Sequence, residues 1–232
     1  MQLVDVDLVI DTGPLPGDVA RFLREAERRI EQFQATSRTH AFVPSDYAGA
    51  YHVLRAIAAA NAAPGPRFCE WGSGFGVVAS LAALLDFEAY GIEIEPELVE
   101  AAEALAGDFE IPVSFVRDSF IPPGGEDCAD VPTSFGWLTA DAGRADEELD
   151  LTTDDFDVVF AYPWPDEEKV IDDLFCRYGG HGAVLVTYHG GEGFRIRRKV
   201  KSRRAAVTRR RVRGSGSGVR QKRPDRTPNP EP

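Results

Sequence analysis

The chain has 232 residues, 43% of them hydrophobic and 28% charged, and a formal net charge of -12. That composition supplies a full core for one domain with appendages and excludes an unfolded or fibrous chain. No apolar run approaches the roughly 20 residues of a membrane helix, and the acidic start MQLVDVDLVID lacks the basic region of a signal peptide, so a cytoplasmic location without a membrane partner is expected.

Charge is divided unevenly along the chain. Residues 1 to 194 hold 11 Lys+Arg and 36 Asp+Glu, a net of -25, whereas residues 195 to 232 hold 15 Lys+Arg and 2 Asp+Glu, a net of +13. A basic tail behind an acidic body suits nonspecific contact with nucleic acid, with an acidic surface or with the chain's own acidic face, and equally a solvated tail without a partner. Cys69, Cys128 and Cys176 are odd in number and far apart, which fits neither a disulfide framework nor paired ligand spacing. They read as reduced and structural. His40, His52 and His181 show no ligand spacing with them, and no metal site is inferred.

In chain order, LVDVDLVI alternates apolar and acidic residues, so Val4, Val6, Leu8 and Ile10 can share one face of a short strand. After Pro14 and Pro16, the helical period of Val19, Phe22, Leu23, Ala26, Ile30 and Phe33 predicts a helix. Ser45 is a candidate N-cap for a second helix through Ala60. From Arg67 the pattern becomes strand then helix, repeated: RFCEW and Val77 to Leu85, AYGIE and Pro96 to Ala106, then VSFVR. This is a βαβαβ unit with parallel strands. Residues 118 to 155 read as a long acidic loop region with a short helix around Ser134 to Leu138. FDVVFAY, a helix carrying Val170, Ile171, Leu174 and Phe175, and AVLVTYH complete the alternation. FRIRRKV and AAVTRRRV can pair as a final hairpin, and GSGSGVRQKRPDRTPNPEP reads as a disordered basic tail from residue 214. Residues 1 to 63 are thus an N-terminal extension of the same domain, and residues 64 to 213 its ligand-binding part.

The chemistry concentrates in FCEWGSGFGVVA, where Glu70, Gly72, Gly74 and Gly76 form E-x-G-x-G-x-G at a strand-to-helix turn. Glycine allows a tight turn and close approach of a ligand to the backbone. The dinucleotide fingerprint would need glycine where Val77 stands, and the Gly-Lys-Ser/Thr ending of a P-loop is absent, so both phosphate-binding readings lose ground. Acids also follow the next two predicted strands, Glu93 in YGIEIEPELV and Asp118 in VRDSF.

With these three acids in order, the stretch from Pro44 to His189 resembles the class I S-adenosylmethionine-dependent methyltransferases. The resemblance implies an α/β doubly wound, Rossmann-like sheet, with an N-terminal helical extension here, and S-adenosylmethionine as cofactor. It implies that Glu70, Gly72, Ser73, Gly74 and Gly76 wrap the methionine part, and that Glu93 binds the ribose hydroxyls. Ile94 then borders the adenine face, while Asp118 and Ser119 meet the adenine amino group. FAYPWPDEE stands where such enzymes contact substrate, but Tyr162 replaces the amide or acid of the related Asn/Asp-Pro-Pro-Tyr/Trp motif, so Tyr162 and Trp164 are candidates for an aromatic wall and equally for packing. Asp166, Glu167 and Glu168 read as caps of the following helix. Pro44 and Tyr47 are candidates for a segment closing over the cofactor, and His189 for a general base.

The resemblance implies methyl transfer by in-line displacement, with protein lysine, a small molecule or an RNA as the open acceptor classes. The rival readings are a noncatalytic binding module on the same fold and an NAD-dependent oxidoreductase, which Val77 opposes.

Overall fold

The computed structural model describes residues 1–36, 42–129 and 143–202. The predicted helix at Ser134 to Leu138, the partner strand AAVTRRRV and the basic tail lie outside these residues.

Among the described residues, seven strands form one sheet. They are β1 (Gln2–Asp5), β2 (Arg67–Trp71), β3 (Glu88–Glu93), β4 (Val113–Arg117), β5 (Val158–Ala161), β6 (Val184–Tyr188) and β7 (Phe194–Val200), in the order β1-β7-β6-β5-β2-β3-β4. Strands β2 to β6 are mutually parallel, and β7 runs antiparallel to both β6 and β1. The helices are α1 (Gly17–Thr36), α2 (Tyr47–Ala59), α3 (Val77–Ala83), α4 (Pro96–Asp108), the short α5 (Glu126–Ala129) and α6 (Ala145–Leu149), and α7 (Glu168–Tyr178). This is the doubly wound, Rossmann-like α/β architecture.

Side chains alternate across a strand, so a sheet covered on both faces sorts consecutive residues into two cores. Phe68, Val158 and Phe160 join the core beneath α1 to α4. Their neighbours Cys69, Trp71, Val159 and Ala161 join the other core, with Val170, Ile171, Leu174 and Phe175 of α7. That two-sided burial explains why RFCEW and FDVVFAY read as largely apolar runs.

Several local expectations change. The first strand stops at Asp5: Val4 is 37% exposed on this edge strand, whereas Leu8 and Ile10 reach the core from the extended chain beyond it. The cap of α2 is Asp46, not Ser45, because the Asp46 carboxylate accepts the Gly49 N–H at 2.9 Å. FRIRRKV cannot pair with AAVTRRRV as a hairpin, since β6 and β1 occupy both its edges.

Two of its four cations are buried, while Arg195 is exposed. Arg197 and Lys199 are only 5% and 3% exposed. The Arg197 guanidinium forks onto Asp172 of α7, and the Lys199 ammonium donates to the carbonyl of Gly179, just past the end of α7, where the helix dipole favours a cation. These residues belong to the folded sheet, so the basic tail begins later than the charge count alone implies.

Candidate functional site

The chain runs outward from β2 to β3 and β4, then returns to place β5 on the other side of β2. Parallel strands diverge in this way at a topological switch point, which opens a crevice at their carboxyl ends. A cavity of about 460 Å³ lies there, within the size range of ligand sites. Its wall takes residues from the turns after β2, β3, β4 and β5, and from the segment before α2.

The turn after β2 is built on left-handed backbone, with φ of 68° at Gly72, 53° at Gly74 and 63° at Gly76. Gly72 and Ser73 both donate to the Ile92 carbonyl, at 2.9 and 3.0 Å, which ties the turn to β3. A Cβ on Gly74 would run into the ring of Phe42, itself part of the cavity wall. Ligand space is therefore not what excludes a side chain at Gly74. Gly76 lies outside the wall: it caps α3, and a Cβ there would strike the ring of Phe115 on β4. Its role is to let α3 start close against the sheet.

The three acids at the carboxyl ends of successive strands are held by backbone N–H groups. Glu70 is 5% exposed, and one carboxylate oxygen accepts the Ala79 N–H in the first turn of α3 at 2.8 Å. A carboxylate thus occupies the helix N-terminus where a pyrophosphate would sit in a dinucleotide site. Burial raises the Glu70 pKa well above the ordinary carboxylate value, opposed by that hydrogen bond. Glu93 is 8% exposed and accepts from Gly74 N at 2.8 Å, Ile94 N at 2.8 Å and Glu95 N at 3.0 Å. Burial raises its pKa too, and the three hydrogen bonds oppose the shift. Asp118 accepts from Ser119 N at 2.7 Å and Arg144 N at 2.5 Å, which closes the chain before α6 onto the end of β4.

Of the expected cofactor residues, Glu70, Gly72, Ser73, Gly74, Glu93, Ile94, Asp118 and Ser119 all line the one cavity. Ile94, 41% exposed, offers an apolar surface at its rim. Tyr162 and Trp164 line it as well, and the Tyr162 ring meets Tyr188 edge-on at 4.8 Å. Tyr47 is in the wall, but Pro44 is not. His189 is also outside it: its Nε2 lies 2.8 Å from the Thr187 hydroxyl, and burial lowers its pKa.

Three features were not expected from the sequence. Phe42 forms part of the wall, Trp71 stacks on Phe120 at 5.3 Å between ring centres, and Glu167 turns into the cavity. Glu167 precedes α7 without a side-chain cap bond and is 5% exposed. Its only signal in the sequence was an acid following two prolines, which a capping role explained as well.

The charged wall residues are Glu70, Glu93, Glu95, Asp118 and Glu167, and among the described residues no Lys, Arg or His lines the cavity. A low-dielectric cleft lined by one sign of charge repels like charge and concentrates the opposite. This site suits a cationic ligand with apolar and hydroxyl-bearing parts, and opposes phosphates.

Solved chains with a similar arrangement include methyltransferases. An RNA methyltransferase from Salinibacter ruber in complex with S-adenosyl-L-homocysteine is 17% identical, with 68% of this chain and 92% of that one covered at a TM-score of 0.45. Cofactor-bound Rv0187 from MTB is 20% identical over 75% of this chain and 73% of that one, at 0.45. An O-methyltransferase from Bacillus cereus in complex with SAH is 11% identical over 75% and 66%, at 0.45. Others are longer, and the match covers as little as 30% of one of them. No family model matches the chain, and no curated protein does. At this level of likeness, the chemistry has to come from the cavity itself.

Proposed function

We propose that the protein binds S-adenosylmethionine in this cavity and transfers its methyl group to an acceptor by in-line displacement. The observation that carries the proposal is that the charged wall residues among the described residues are all acids, with Glu70 already seated on the α3 N-terminus. Those two features favour a ligand whose sulfonium and ammonium outweigh its single carboxylate, and oppose the pyrophosphate of NAD.

The bound cofactor would supply a methyl group already activated by the positive sulfur. Glu93 would hold a ribose hydroxyl through the one acceptor site that its three backbone hydrogen bonds leave. Asp118 and Ser119 would meet the adenine amino group and Ile94 the ring face, while the turn from Glu70 to Gly74 holds the methionine part. The protein's contribution is then alignment and exclusion of water, and alignment alone can remove about 7 to 11 kcal/mol of a two-reactant barrier. Protein lysine and small metabolites both remain acceptor classes compatible with an acidic body.

Methyl-labelled S-adenosylmethionine incubated with the protein and fractionated cell extract tests the activity. Label should enter one acceptor fraction. Absence of transfer to any fraction by protein that binds the cofactor would favour the noncatalytic binding module.

A further inference from the structure

Glu167 is the one cavity carboxylate with a buried oxygen that meets no hydrogen-bond donor among the described residues. Its Oε2 accepts the Trp164 N–H at 3.3 Å, while Oε1 is buried without a partner. The residue is 5% exposed and stands between β5 and α7, on the far side of the switch point from Glu70, Glu93 and Asp118. A buried, half-satisfied carboxylate lowers stability unless something completes it. As the residue before α7, it also forgoes a side-chain cap bond.

What completes it must bring a hydrogen-bond donor, and the surroundings select the charge. The other charged wall residues are acids, so an acceptor carrying phosphate or carboxylate is repelled. Tyr162 and Trp164 share the same stretch of wall, and aromatic rings attract cations.

We infer that the methyl acceptor is a primary or secondary amine, and that Glu167 receives it as the ammonium and takes up its proton. The inference rests on the cofactor reading above. An ammonium has no free electron pair, so it must be deprotonated before it attacks. The proton passes from nitrogen to Oε1 of Glu167, giving the neutral carboxylic acid and the free amine. The nitrogen pair then forms the new C–N bond as the C–S bond breaks, and the pair of that bond stays on sulfur, which becomes a neutral thioether. The methylated product leaves as the ammonium, and Glu167 returns its proton to solvent. Burial raises the Glu167 pKa, which makes it a better base for this step.

The test uses the full chain loaded with S-adenosylhomocysteine, with n-butylammonium, n-butanol and butyrate as probes followed by saturation-transfer NMR. Wild-type protein should bind n-butylammonium at least tenfold more tightly than n-butanol, and butyrate more weakly still. E167Q should lose at least tenfold in n-butylammonium affinity while its S-adenosylhomocysteine affinity stays within twofold. E168Q, which changes the adjacent half-exposed acid, should leave both unchanged. E167Q should also melt at or above the wild-type temperature, because it removes an incompletely paired buried charge.

Equal binding of n-butanol and n-butylammonium, or full n-butylammonium affinity in E167Q, would overturn the assignment. So would a melting temperature lowered by several degrees in E167Q, since that marks a structural role. Failure of the wild type to bind S-adenosylhomocysteine would instead remove the cofactor reading, and this inference with it.

Discussion

On the β2 to β4 side of the cavity, each acid at a strand's carboxyl end is fixed by main-chain donors: Glu70 by Ala79, Glu93 by Gly74, Ile94 and Glu95, and Asp118 by Ser119 and Arg144. On the β5 side, Glu167 has one weak main-chain contact and one bare oxygen. Fixed donors position a carboxylate whether or not ligand is present, and such preorganisation lowers the cost of binding. A carboxylate left incomplete costs stability in the free protein and regains it only with a partner. One half of the site is therefore shaped before binding, and the other half depends on what binds.

Glu167 also contrasts with Asp172, an acid of α7 that does have its cation in Arg197. Because Arg197 is 5% exposed, Arg197→Ala would leave a cavity and an unpaired acid, costing about 3 to 5 kcal/mol, toward the low end since the Asp172 side chain is 31% exposed. Urea denaturation would read it. A loss near zero would show that pairing means little here, and the contrast with Glu167 would weaken.

The shaped half depends on α3 lying close to β4. Gly76→Val should cost about 2 to 4 kcal/mol in the same assay, from left-handed strain and the collision with Phe115. Glu93→Ala should weaken S-adenosylmethionine binding by roughly 1.5 to 3 kcal/mol in calorimetry, through a lost charge-assisted hydrogen bond. Unchanged affinity would take Glu93 out of the site.

The smallest expected effect is on pH. Burial raises the folded pKa of Glu70, Glu93 and Glu167 above the ordinary glutamate value of 4.5. Over the window from that value up to the raised ones, the folded state binds more protons than the unfolded. These groups then favour folding below the window, and the advantage is lost as pH rises through it. Exposed acids paired with arginine act oppositely: Glu25 is lowered to about 2 and Asp127 is also lowered, so their contribution is lost as pH falls through those values. Urea midpoints of the ligand-free protein should decline modestly from pH 5 to pH 8, and added S-adenosylmethionine should reduce the decline. A rise instead would mean that the cavity acids are ionised at no cost.

The central strands of the parallel sheet were legible because burial on both faces leaves largely apolar runs, and RFCEW and FDVVFAY contain β2 and β5 as read. The candidate site was legible where its residues follow strands: the glycine turn, Glu93 and Asp118 sit at positions that topology brings together. What stayed hidden depends on packing across the chain. Phe42 faces Gly74 over a long sequence separation, Arg197 looks like a surface cation until Asp172 lies against it, and Glu167 looks like a helix cap until it is found in the cavity wall with one oxygen buried and unbonded. The edge pairing of β7 with β1 likewise joins the first residues to the last strand, which no local pattern announces.

The central claim is that an acidic cavity with a carboxylate on the α3 N-terminus takes a sulfonium nucleoside and refuses a pyrophosphate. Calorimetric titration of the purified chain with S-adenosylmethionine and, separately, with NAD tests it most directly. Saturable one-to-one binding of S-adenosylmethionine with no detectable heat from NAD is the predicted result. Binding of NAD as tight as or tighter than that of S-adenosylmethionine would contradict it.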